Sequence, residues 1–69
     1  MVVITMDIND IIKDLEQKWS IMNNQYHKPE VRSVAENEYI RLCEDGRDTD
    51  RQRIMPYLKQ YVTWKTNGG

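Results

Sequence analysis

From Ile8 to Trp64 the apolar residues of this chain recur at steps of three and four. That period matches one face of an α-helix and does not fit a strand, whose faces alternate every second residue. Ile8, Ile12, Leu15, Trp19, Met22 and Tyr26 form one such stripe, widened by Ile11. Val31, Val34, Ala35, Tyr39 and Leu42, with Cys43 at the edge, form a second. Ile54, Tyr57, Leu58, Tyr61 and Val62 form a third, with Trp64 to one side. Each is wide enough to bury a helix face against neighbours.

Local signals divide the stripes. Asp7 is placed to cap a first helix over about 8–25, with Asp10 at the positive end of its dipole. Asn23, Asn24 and His27 weaken its end. Pro29 suits the first position of a second helix, about 29–45, because its missing N–H would have no partner there. Gly46 is placed as the left-handed residue that stops it. Asp48 or Thr49 can cap a third helix, about 49–65, kinked near Pro56. Ion pairs are expected at Asp14–Lys18, Asp48–Arg51 and Asp50–Arg53. Glu36, Asn37 and Arg41 read as solvated. The expected fold is an all-α, single-domain three-helix bundle over 1–69. Residues 1–6 form a short extended N-terminal arm and 66–69 a flexible tail. Val2-Val3-Ile4 has strand character, as does Tyr61-Val62-Thr63-Trp64, so a terminal two-stranded pairing is an alternative for the arm.

Size limits what such a bundle can bury. A chain of 69 residues buries only about 60% of its unfolded surface. One Cys and one His supply neither an internal disulfide nor a structural zinc site. Self-association, such as a homodimer, or docking onto a protein partner is favoured by elimination.

The same shortage argues against chemistry. Catalytic, cofactor and metal sites need several specific groups brought together, and none is expected here. The run Arg47-Asp48-Thr49-Asp50 fails as a calcium loop, because Gly46 precedes its acids and no Glu follows at the required distance. Cys43 lies beside Glu44 and Asp45, whose charges disfavour a thiolate. Glu36 and Glu38 point from different helix faces, which gives no paired-carboxylate site. His27 reads as a turn residue. Gly68-Gly69 matches the end of ubiquitin-like carriers, but those are β-rich. A ribbon-helix-helix DNA binder needs a polar first strand, which Val2-Val3-Ile4-Thr5 does not offer.

Net charge is −1, which gives no general attraction to nucleic acid or to a membrane. The distribution is uneven. Residues 1–45 carry five basic against nine acidic side chains, a net of −4, whereas 46–69 carry five against two, a net of +3. No stretch approaches the roughly 20 apolar residues needed to span a bilayer. The N-terminal segment is too short for a signal-peptide core, and with an unpaired Cys the expected compartment is a reducing cytoplasm.

The first expectation for function is a small, non-enzymatic protein–protein interaction module acting as an adaptor, regulator or inhibitor. Its size class is common among phage and mobile-element proteins. Arg47, Arg51, Arg53, Lys59, Tyr61, Trp64 and Lys65 form its candidate surface, since Arg and large aromatics dominate interface energetics. The alternative is a nucleic-acid-associated accessory protein of replication, recombination or transcription. It would use the same basic edge on phosphates and its aromatics on bases.

Overall fold

The computed structural model describes residues 7–68. Among them 85% are helical and none forms a strand. The expectation of three helices is corrected to two: α1, Ile8–Met22, and α2, Pro29–Thr66. The proposed arm and strand over residues 1–6 lie outside the described residues. Tyr61–Trp64, the other candidate strand, is helical.

α1 begins after Asp7, which is extended and makes no side-chain cap. Its carbonyl instead accepts the N–H groups of Asp10 and Ile11 at 3.0 and 3.1 Å. The helix stops at Met22, three residues before the expected end. There the Arg32 Nε donates to the Met22 carbonyl at 3.1 Å. The Asn23 amide donates to the Trp19 carbonyl at 2.9 Å. The Arg32 bond satisfies an orphan carbonyl that a further turn would otherwise have taken, and the Asn23 side chain adds a second donor to a carbonyl that already accepts the Asn23 N–H. Asn24 then turns the chain by accepting the Tyr26 N–H at 2.9 Å. Tyr26, read as part of the seam, is left 89% exposed.

α2 passes through the region expected to be a loop. Its single break is Asp50, at φ −152° and ψ 89°. The Asp50 Oδ1 accepts the Arg53 N–H at 3.3 Å, so Asp50, not Asp48 or Thr49, caps the helical segment beyond it. Pro56 has helical dihedrals, so the expected kink falls six residues earlier than the proline. A straight helix of 38 residues would be about 57 Å long, yet the longest extent of the molecule is 40 Å. The Tyr39 hydroxyl donates to the Tyr57 carbonyl at 2.8 Å, although 18 residues along a straight helix span about 27 Å. α2 therefore doubles back at Asp50, and residues 51–66 return alongside residues 29–49.

Gly46 explains how the two arms approach. It is buried and helical, with no positive φ, so the left-handed stop expected there is corrected. A Cβ at this position would lie 2.5 Å from Ile54 Cδ1 and 3.2 Å from Ile11 Cγ2. Glycine is required here because α1 and both arms of α2 converge on it.

The core is Ile11, Leu15 and Met22 of α1, Ala35, Tyr39 and Cys43 of the first arm, and Ile54 of the second. Ile8, Ile12, Trp19, Leu42, Tyr57, Leu58, Tyr61 and Trp64 pack around it half-buried. Val31 and Val34, expected inside, are 43% and 56% exposed.

Candidate interaction site

The seven residues of the candidate surface do not share one face. Tyr61, Trp64 and Lys65 come together against the first arm of α2. Trp64 stacks edge-on to Trp19 at 6.1 Å and tilts against Tyr61 at 6.0 Å. Tyr39 closes the group, 5.7 Å from Trp19 and 5.8 Å from Tyr61. Such pairs add about 0.5–1.5 kcal/mol each beyond burial, so Tyr61 and Trp64 are committed to holding the arms together. Lys65 lies 6.0 Å from the Trp64 ring centroid.

Glu36 anchors this face, correcting its reading as solvated. One of its oxygens, Oε2, accepts both the Tyr61 hydroxyl and the Lys65 ammonium at 3.1 Å. Burial first, then the hydrogen bond and charge of Glu36, pushes the Tyr61 hydroxyl above its ordinary pKa. Glu38 points elsewhere and pairs with Lys18 of α1 at 3.2 Å. That pairing replaces Asp14–Lys18, and the Asp48–Arg51 and Asp50–Arg53 pairs do not form. Glu36 and Glu38 thus serve opposite sides of one helix, as their spacing implied.

The rest of the basic edge is dispersed. Arg53 donates to the Asn9 side chain at 3.3 Å and ties the second arm to the start of α1. Arg47 and Arg51 are exposed at the bend, interleaved in sequence with Asp48 and Asp50. Lys59 lies on another face, beside Met55, Leu58 and Val62.

Among the described residues no three His, Cys, Asp or Glu are placed to hold a metal ion. His27 is exposed in the α1–α2 connection, whereas Cys43 is 2% exposed in the core. Burial, and secondarily the charge of Glu44, pushes the Cys43 thiol up to about 11. It is protonated at neutral pH and poorly nucleophilic.

The feature that sequence reasoning missed is a shallow groove of about 300 Å³ between α1 and the first arm of α2. Ile21, Val31, Val34 and Ala35 line it, and Lys18, Glu30 and Glu38 rim it. Its origin is the early stop of α1. Once the chain leaves the seam at Met22, Val31 and Val34 have no helix turn above them. Ala35, too short to fill the space, supplies the floor. The signal in the sequence was the pair of β-branched valines opposite a helix end rich in Asn. A second apolar strip, Met55, Leu58 and Val62, is carried by the second arm alone and has only one wall.

Compared with known protein families, with curated proteins and with solved structures, the chain matches none. Among the described residues no helix is long and apolar enough to cross a membrane.

Proposed function

We propose that this protein is a non-enzymatic protein–protein interaction module that receives an apolar helical segment of a protein partner in the groove between α1 and α2. One observation carries the reading: Val31 and Val34 stand 43% and 56% exposed in a groove with two helical walls. Aliphatic side chains lined up along a helical groove are what an amphipathic partner helix seeks. The rim states the charge of that partner. Lys18 is already neutralised by Glu38, which leaves Glu30 to attract a basic residue flanking the apolar ones. The −4 charge of residues 1–45 steers a basic segment to the same side. A lone cysteine has no disulfide partner within the chain, and on that ground we propose a reducing, cytoplasmic compartment.

The nucleic-acid alternative uses Arg47, Arg51 and Lys59. It is the weaker reading because those residues lie on different faces and acidic groups adjoin two of them. A photo-crosslinking amino acid at Val34, with a second at Arg51, tests both. The protein reading expects a polypeptide adduct at position 34 that Val31→Glu abolishes while the helical circular dichroism persists. Adducts at position 51 to nucleic acid, with none at 34, overturn it.

A further inference from the structure

We propose that α2 is a two-way element, bent at Asp50 within a single copy and straight in a pair of copies that exchange residues 51–66. This rests on the bend and is independent of the groove. In a helix of 38 residues one residue alone leaves helical dihedrals. Straightening the chain there changes little else locally and adds the helical hydrogen bonds that the bend interrupts.

The cross-arm pairs show what a straightened helix would meet. Gly46 faces Ile54, Tyr39 bonds to the Tyr57 carbonyl, and Glu36 holds Tyr61 and Lys65. Every one of these pairs is centred within two residues of Asp50 in sequence. The two arms are therefore related as two antiparallel helices are related about a two-fold axis through residue 50. Two straight copies of α2, crossed there, rebuild each pair between chains, with Gly46 again allowing the close approach. α1 keeps its own first arm and receives the partner copy's second arm, so Trp19–Trp64, Tyr57–Glu16 and Arg53–Asn9 all reform. A straight helix alone would leave Ile54, Tyr61 and Trp64 uncovered. The one surface already shaped to cover them is that of a second copy, which makes this exchange rather than end-to-end stacking.

What holds the bend is local. The Asp50 carboxylate caps the returning arm through the Arg53 N–H at 3.3 Å. Gly46, Asp48, Thr49 and Asp50 are all poor residues for a helix interior. Asp50→Ala removes the cap and improves helix propensity together. With two caps lost per pair, the association constant is expected to rise about thirtyfold. Asp50→Asn keeps a capping side chain and is expected to stay near the parent.

Light scattering over a concentration series reads the outcome. Asp50→Ala is expected to move from 8.3 kDa to twice that mass at concentrations where the parent and Asp50→Asn remain single. Mixing labelled and unlabelled Asp50→Ala protein during refolding is expected to give Tyr39–Tyr57 contacts between chains by isotope-filtered NMR. A variant that stays single with its helicity intact overturns the proposal. So does a dimer in which that contact remains within each chain. Should Asp50→Ala fail to fold, the parent protein refolded at millimolar concentration decides: a slowly dissociating dimer with the same interchain contact supports exchange, and its absence overturns it.

Discussion

Gly46 shows how two opposed effects resolve at a single residue. Alanine there gains about 0.5–1 kcal/mol of helix propensity. It also places a Cβ 2.5 Å from the Ile54 side chain, and overpacking of this kind costs about 1–3 kcal/mol. The clash wins, because the nearest Ile54 atoms include Cγ1 as well as the more movable Cδ1. Gly46→Ala is expected to lower the urea midpoint, and a raised midpoint would show that the arms do not meet at Gly46. The sequence reading put a helix stop at Gly46, whereas that residue is helical and the chain turns four residues later, at Asp50. A helix stop and a close approach both ask for glycine, and local pattern does not separate them.

Titration of the core tyrosines and thiol gives a second expectation for single residues. Burial raises Cys43 to about 11 and raises Tyr39, Tyr57 and Tyr61 above their ordinary range. Each is an acid held neutral in the fold, so the folded chain keeps protons that the unfolded chain releases. Stability from these groups is complete below their unfolded pKa values and is lost as pH rises through the folded ones. For Cys43 that window runs from the ordinary 9.0 to about 11. Urea midpoints are expected to be flat with respect to these groups up to about pH 8.5 and to fall above it. Cys43→Ala should remove part of that slope. An equally steep fall in the variant would show that Cys43 has no share in it.

Among the elements, α2 departs furthest from expectation, and Pro56 is its clearest test. The proline lies inside helical backbone with no bend of its own. It therefore withholds a hydrogen bond from the Gln52 carbonyl and crowds it, at a cost of about 3 kcal/mol in a regular helix interior. Replacing it also frees the unfolded chain, which offsets about 0.4–1 kcal/mol. Pro56→Ala is expected to stabilise by roughly 2–2.6 kcal/mol on balance, read by chemical denaturation. Destabilisation would mean that Pro56 shapes the second arm. The start of each helix was legible, at Asp7 and Pro29, although Asp7 holds the first turn through its backbone carbonyl and not through the expected side-chain cap. The bend was not, since Asp48, Thr49 and Asp50 are all competent caps. What selects Asp50 is the meeting of Gly46 with Ile54, a contact outside any local window. The end of α1 was misjudged for a similar reason: Arg32, ten residues on, holds the Met22 carbonyl.

Taken whole, the molecule is a thin slab, 14 Å through its shortest extent. In so shallow a core few side chains are fully enclosed, and position relative to the bend decides what each can do. Leu15, with no exposure, and Val34, at 56%, are both aliphatic. Leu15→Ala is expected to cost about 2–5 kcal/mol. Val34→Glu should stay within about 0.5 kcal/mol, as at ordinary surface positions, and act on partner capture alone. Comparable losses at the two sites would place Val34 in the core and remove the groove. The apolar period foretold a helical molecule and the core members Ile11, Leu15, Tyr39 and Ile54. It could not foretell the groove, because Val31 and Val34 continue the same stripe as Ala35 and Tyr39 and differ only in what lies above them.

The enclosed core, the aromatic group and the proposed exchange all depend on residues 51–66 returning over α1. The most direct measurement is the set of proton–proton NOEs between the indoles of Trp19 and Trp64, and between Tyr39 and Tyr57, in dilute protein. With rings 6.1 Å apart in the first pair and a 2.8 Å hydrogen bond in the second, both sets are predicted to be strong. A fully helical protein lacking them would contradict the folded-back α2 at its root.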